Sequence, residues 1–391
     1  MNDYYVDLHI HIGRTESGKP VKISGSRDLT FYNIAHESAT RKGIDMIGII
    51  DCHAPSVQEE IMGYLHSGEM EELEGGGIRY RQSTIILGSE IEVRDEGCGP
   101  THLLAYLPDL KSMQQFTKWM SRFMKNVELS SQRLYVTSRE LQSEVISRGG
   151  FMIPAHIFTP YKSVYGSGST RIADMLDLQG LTAVELGLSS DTYMASYLSE
   201  LDDLAFVTNS DAHSLSKIGR EYNQMRMLEP SYNELVKALN FEDGRSIIGN
   251  YGLNPQLGKY HRTFCAKCDA VLDETAISTS RCLNCGSPKI VRGVMDRILA
   301  LADREIPIIM PHRPPYYNQI PLEFIPGLGK KKLEQLLGQF GTEMNVLHHV
   351  PIDDLTRVVG LEIAETILNA RGGLLKVDVG GGGKYGRIQR R

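Results

Sequence analysis

Five short apolar stretches of this chain each run directly into a histidine or an acid, and a sixth begins with one. Residues 4–8 lead into His9-Ile10-His11, 46–50 into Asp51-Cys52-His53 and 85–87 through Gly88-Ser89 to Glu90. Residues 151–155 lead into His156 and 205–208 through Asn209-Ser210 to Asp211-Ala212-His213, while the sixth stretch opens at Thr101-His102. In a strand, successive side chains point to opposite faces, so His9 and His11 share one and can converge on a single ion. Taken singly, each of these residues is an ordinary turn former or core histidine, and two imidazoles are too few for a tight site. Their recurrence at nearly every strand end is the constraint: the fold must bring those ends together.

Strand candidates lie at 4–8, 46–50, 83–93, 102–107, 151–155, 183–188, 205–208 and 246–250. Helix candidates lie at 29–42, 112–127, 138–147, 171–178, 193–201 and 231–239. This alternation predicts an α/β fold with a largely parallel barrel or sheet. In such barrels functional residues collect on the rim where strands terminate. The expected metal ligands are therefore His9, His11, Asp51, His53, Glu90, His102, His156, Asp211 and His213. Of these, Asp211, His156 and Glu90 are taken as closest to the reaction. The mixed donors suit Zn, Mn or Fe better than an all-oxygen Mg site. Paired cations can acidify a water and stabilise the attacking and leaving oxygens of a phosphate ester. No Ser or Cys nucleophile is then required, and Cys52 reads as a small strand-end filler.

With 391 residues the chain has room for two or three domains. A net charge of -6 does not advertise nucleic-acid binding across the whole chain, although a basic end can coexist with an acidic domain. No apolar run approaches the ~20 residues of a membrane span, and the N-terminus lacks a basic start and an apolar signal segment, so a cytosolic location is expected. Of six cysteines, Cys52 and Cys98 stand alone, while Cys265-x-x-Cys268 and Cys282-x-x-Cys285 form two pairs thirteen residues apart. Four thiolates at that spacing predict a closed, tetrahedral, structural Zn site in a reducing compartment.

Residues 156–169 follow a ligand and carry Phe158, Tyr161 and Tyr165 around Lys162. Either the loop packs on its own aromatics, or it stacks a base and holds a phosphate, with Lys162 and Tyr165 contacting DNA. Glu185, at another strand end, is read as a partner behind a ligand or a reader of substrate. A helix is expected at 294–303, then a Pro-rich connector at 307–321. Beyond it, Ile325-Pro-Gly327-Leu-Gly329-Lys330-Lys331-Lys332 resembles the hairpin of a helix-hairpin-helix element, in which exposed N–H groups at a helix start hold a DNA phosphate. A weaker second copy lies at 359–370. Residues 335–340 faintly resemble a sliding-clamp peptide, but helix packing explains them better. The Gly-rich basic tail is expected to be disordered, or to touch DNA through Lys384, Arg387, Arg390 and Arg391. The expected segments are 1–253, 254–293, 294–372 and 373–391.

The ordered ligand set is similar to that of the PHP family of metal-dependent phosphoesterases. That resemblance implies a distorted (β/α)7 barrel holding two or three divalent ions (Zn, Mn, Mg or Fe). It is followed here by a small four-cysteine zinc-ribbon module and a C-terminal helical region. Many relatives place another His or Asp just after the first pair, whereas residues 13–18 offer only Glu16. The succession of barrel, four-cysteine knuckle and Pro-Gly-x-Gly helical end resembles the endonuclease Q family over essentially the whole chain. That implies a DNA repair endonuclease acting on duplexes with uracil, hypoxanthine, xanthine or abasic sites, cutting 5′ of a lesion flipped from the helix. Two rivals stand beside it. A phosphatase for a small phosphorylated metabolite needs neither the knuckle nor the hairpin. A non-catalytic DNA-binding protein with a relict barrel should have lost several ligands.

Overall fold

Strand β1 (Asn2–Ile10) is buried from Val6 onward and has sheet neighbours on both sides. The structure, a computed structural model, describes residues 1–272, 281–375, 377–378, 380, 384 and 386–388. Strand β2 (Met46–Ile49) runs parallel to β1. A small hairpin of β3 (Glu71–Glu72) and β4 (Ile78–Tyr80) precedes the long β5 (Ser83–Val93), which is parallel to β2 in the register Met46↔Thr84 to Ile49↔Leu87. From Leu87 onward β5 pairs antiparallel with β6 (Thr101–Leu107), which pairs antiparallel with β7 (Phe151–Pro154). The short β8 (Ala183–Glu185) and β9 (Ala205–Val207) are parallel. Finally β10 (Tyr222–Met227) and β11 (Ser246–Gly252) return antiparallel on the far side of β1. The result is a distorted barrel of PHP type, with more antiparallel pairing than the alternation implied.

Strand β10 was not expected from sequence, because polar residues interrupt its apolar pattern. Asn223 is fully buried there, accepting from the Thr208 N–H at 2.9 Å and the Asn250 side chain at 2.8 Å. Asn250 also donates to Phe206 O at 3.0 Å. Buried amides, rather than apolar pairs, tie this side of the barrel together; each is worth keeping because an unpaired one costs ~1–3 kcal/mol.

A register shift between Asp7 and Ile10 inserts one extra residue into β1 relative to β2. Before it, Val6 and Leu8 belong to the barrel's inner cluster; after it, Ile10 and Ile12 belong to the outer one. The bulge therefore switches parity and turns His9 and His11 into the barrel mouth. Tyr106 crosses the interior to donate to Leu8 O at 2.7 Å.

The outer layer begins with α1 (Phe31–Glu37), α2 (Pro55–Ser67), α3 (Leu110–Met120) and α4 (Ser138–Ser147), the last closed by a capping box between Thr137 and Glu140. Helix α2 was missed, although Pro55 at its first position was a usable start signal. The helices expected at 171–178 and 193–201 shrink to 3-10 turns and the four-residue α5 (Thr192–Ala195). Later chain covers this thin flank: Arg313 donates to Leu201 O and Leu204 O, and Arg304 pairs with Asp202. Helix α6 (Tyr232–Leu239) contributes Leu235, Ala238 and Leu239 to the inner cluster.

Beyond the barrel, β12 (Phe264–Cys265) and β13 (Ile290–Val291) form the four-cysteine ribbon, and α7 (Val294–Leu301) follows. The Pro-rich connector then adds β14 (Tyr316–Asn318), parallel to β11, so it is part of the barrel sheet rather than a free link. Four helices follow: α8 (Lys330–Phe340), α9 (Glu343–His348), α10 (Ile352–Val359) and α11 (Leu361–Arg371). Leu336 and Leu337 are buried, which supports helix packing over a clamp peptide for residues 335–340. The described part of the tail is not detached. Strands β15 (Val377–Asp378) and β16 (Arg387–Ile388) pair, and Gly380 and Gly386 donate to Gln256 O and Leu257 O at 2.6 and 2.9 Å. Arg390 and Arg391 lie outside the described residues. Among the described residues no helix is long and apolar enough to cross a membrane.

His348 joins the helical region to β1. It stacks on Tyr5 at 4.7 Å between centroids, and its Nε2 lies 2.6 Å from the Tyr222 hydroxyl. Burial, then His349 and Arg371, lower its pKa to about 4. The unfolded chain takes up a proton near pH 6.5 that the folded chain refuses until about 4, so stability falls as pH drops through that window. The loss is of order 3 kcal/mol at most. In urea titrations from pH 7.5 to 4.5, His348→Phe should lose most of this slope. Parallel profiles for the two proteins would discard the account.

Candidate metal centre and the groove above it

Seven of the nine expected ligands converge. Their side chains form three groups, each spanning less than 4.8 Å: His9, His11 and Glu90; Glu90, His102 and His156; and His11, Asp211 and His213. Glu90 Oε1 lies 3.6 Å from His9 Nε2, 3.6 Å from His156 Nε2 and 2.8 Å from His102 Nδ1. Asp211 Oδ1 lies 3.5, 3.6 and 3.3 Å from Nε2 of His9, His11 and His213. Tetrahedral ligands bonded at about 2.0–2.1 Å sit roughly 3.3–3.5 Å apart, close to most of these gaps. His9 Nε2 and His102 Nε2 are buried without a hydrogen-bond partner, so this donor set fits cations.

Carboxylates stand behind two of these histidines. His9 Nδ1 donates to Glu185 Oε2 at 2.8 Å, and His11 Nδ1 donates to Asp51 Oδ2 at 3.0 Å, leaving each Nε2 facing the centre. Asp51 and His53, expected as ligands, stand outside the three groups. The Asp51 oxygen that meets His11 also accepts the Ile12 N–H at 2.8 Å, while His53 faces Ser89 Oγ at 2.9 Å and Leu129 O at 3.4 Å. Because His11 offers only Nε2, and one nitrogen serves one ion, the first and third groups compete for it.

Burial alone would lower the pKa of His9, yet Glu185, Asp211 and Glu90 outweigh it and push it up to about 10. Burial would raise Asp211, but His9, His11 and His213 hold it well below the usual carboxylate range. A carboxylate surplus of this size calls for cations. The backbone is strained where ligands are presented: His156 has φ 32° and Asp211 φ 44°, both left-handed. A Cβ on Gly187 would lie 2.9 Å from His156 Cβ, so only glycine lets β8's loop approach that ligand. Asp7 fixes the other loop by accepting from Ser210 and Gly219 N–H at 3.0 and 2.9 Å, and Arg220 donates to Ser210 O and Asp211 O. Neither Asp7 nor Arg220 carried a signal in sequence.

Above the centre is a cavity of about 320 Å³ whose walls include Tyr161, Lys162, Lys259, Tyr260 and Arg220. Tyr165 is not on it: it is buried, stacks on Phe158 at 5.2 Å and donates to Glu200 at 2.7 Å. The exposed aromatic is Tyr161, edge-on to Tyr260 at 5.7 Å. Lys162 is half-exposed and pairs with Glu92 at 2.9 Å. Glu16 is exposed beside Glu60 and Tyr64, away from the ligands. In the ribbon, Cys265 and Cys285 sulfurs are 3.6 Å apart and those of Cys268 and Cys282 3.8 Å, near the edge of about 3.8 Å for a tetrahedron with Zn–S bonds of about 2.3 Å.

Fold and site together define a metal-dependent hydrolase of the PHP class; a family model described as PHP-associated matches residues 193–243. The crystal structure of the lesion-specific endonuclease PfuEndoQ from Pyrococcus furiosus matches with a TM-score of 0.86 and 31% identity, covering 99% of this chain and 95% of that one. This chain belongs to the endonuclease Q family. A second structure, endonuclease Q with a 27-mer duplex bearing an abasic lesion at the active site, gives 0.85 and 30% over 100% and 97% of the two chains. The uncharacterized protein YqxK of Bacillus subtilis (strain 168) is 50% identical over the full length of both chains. The uncharacterized protein MJ0043 of Methanocaldococcus jannaschii is 39% identical over 250 residues, 59% of this chain and 31% of that protein.

If Glu185 orients His9, Glu185→Gln should weaken barrel metal binding by roughly 10–100-fold. Competition against a chelator measures this directly, and unchanged affinity would remove Glu185 from that role.

Proposed function

We propose that this chain is a DNA repair endonuclease that hydrolyses the phosphodiester 5′ of deaminated bases or abasic sites. The observation that carries the reading is the convergence of His9, His11, Glu90, His102, His156 and Asp211 on the floor of a groove bordered by Tyr161 and Tyr260. The lesion-bound family structure supports DNA as the substrate. In this reading His9, His11, Glu90 and Asp211 hold one ion, and Glu90, His102 and His156 the other. When bound, the ions would acidify a water and offset charge on the attacking and leaving oxygens. Glu185 and Asp51 hold the Nδ1 protons, which turns each ring so that the Nε2 lone pair is offered to an ion. Tyr161 and Tyr260 offer faces for a displaced base, and Lys162 lies within reach of a phosphate. The four-cysteine knuckle holds a structural Zn.

The chain divides in this reading into barrel (1–253), zinc module (254–293), helical region (294–372) and tail (373–391), with β14 lent back to the barrel sheet. Gly327 has φ 82°, and Gly329 caps α8 with open space around it, which favours close approach of a DNA phosphate. Lys330 and Lys331 are exposed there. The second hairpin turns at Gly360 but presents Glu362, which suits packing better than phosphate contact.

Asp211→Asn should lower nicking of uracil, inosine or abasic duplexes at least about 100-fold while leaving DNA affinity within a few-fold. Near-normal nicking would sink the assignment, and cleavage confined to small phosphate monoesters would favour a phosphatase. Replacing Lys330 and Lys331 together by Ala should weaken binding to all duplexes alike and flatten the salt dependence by about two ions. An altered lesion preference at full affinity would count against a backbone-holding role.

A further inference from the structure

We propose that Lys22 is a positioning residue that acts as a resident cation of the metal centre, its ammonium occupying the Glu90 edge where a further metal ion would otherwise bind. The inference rests on the phosphodiesterase reading of the same site. Where a further ligand was expected, residues 13–18 supply none; the loop instead returns with Lys22. Its backbone is pinned on both sides, Lys22 N donating to Ile12 O at 2.9 Å and Gly25 N donating to Lys22 O at 2.9 Å. Ser130 N donates to Val21 O at 3.0 Å, so the segment bearing Ser131 is fixed to the same loop.

The side chain is only 15% exposed, and its Nζ lies 3.1 Å from Glu90 Oε2 and 2.5 Å from Ser131 Oγ. The Ser131 hydroxyl also donates to Glu90 Oε2. Glu90 therefore has two distinct sides. Oε1 faces His9, His102 and His156, as an ion's ligand would, whereas Oε2 is shared between Lys22, Ser131 and the more distant His11 at 3.6 Å. A lysine is seldom buried unless paired, and here its partner is a carboxylate that both ligand sets use. Charge agrees with this. Of the acids that touch the clustered histidines, Asp51, Glu90, Glu185 and Asp211 would be neutralised by two divalent ions, and the lysine would then leave one positive charge to meet the single negative charge of a phosphodiester.

A resident cation differs from mere neutralisation of Glu90 in one respect: it can be replaced by a metal. Lys22→Ala opens both the space and Oε2. At micromolar Mn²⁺ its nicking of an abasic duplex should fall 10–100-fold, with KM for DNA changed less than threefold. Millimolar Mn²⁺ should restore it to within about threefold of wild type, and anomalous diffraction from metal-soaked crystals should place an additional ion beside Glu90 Oε2 and Ser131. Lys22→Met fills the space without charge and should lose activity without metal rescue. Wild-type activity in Lys22→Ala at every Mn²⁺ concentration, or a loss with neither rescue nor an added ion, would overturn the proposal. If the wild-type chain nicks no lesion duplex, the endonuclease reading fails instead, and the ion positions still decide the role of Lys22.

Discussion

Burying several carboxylates in the mouth of one barrel is the constraint that the rest of the structure answers. A charge removed from water without a partner costs far more than a domain's net stability, so each acid must be matched. Glu185 meets His9, Asp51 meets His11, Glu90 meets Lys22, and Asp211 faces three imidazoles. Matching them demands backbone that regular strands do not provide. The bulge in β1 re-aims two histidines, and His156 and Asp211 take left-handed conformations worth roughly 1–2 kcal/mol of strain each. Such strain persists only where neighbours fix it, as Asp7, Gly187 and Arg220 do here.

This explains which parts of the site were legible in the sequence. Ligand types at strand ends are a one-dimensional signal, and His9, His11, Glu90, His102, His156, Asp211 and His213 converge as that signal implied. Whether an acid faces the ion or the back of a histidine is a matter of rotation within the strand end. Asp51 and Asp211 look equivalent in sequence, each two residues before a histidine, yet only Asp211 enters a candidate metal group. Lys22 was illegible for another reason: a folded-back loop has no period, and its partner is 68 residues away.

The fold shows the same division. Strands with apolar runs were found, whereas β10 depends on buried asparagines and β14 on a Pro-rich segment that reads as linker. The aromatic loop at 156–169 had two readings of equal standing, and the structure bears out packing for part of it. Phe158 and Tyr165 pack on each other, while Tyr161 remains on the groove wall. Composition located the aromatics; only burial could divide them.

The helical region is not an appendage to this centre. Its His348 stacks on Tyr5, four residues before His9 on the same strand, and Lys42 donates to Glu343 across the seam at 3.0 Å. Tyr251 also stacks on Tyr317 at 4.7 Å, so removing the chain after β11 would uncover an aromatic face of the barrel. A truncation would therefore disturb the strand that carries His9 and His11 as well as remove the helices. The helical region that carries α8 and the strand that carries His9 and His11 are thus joined through packed side chains.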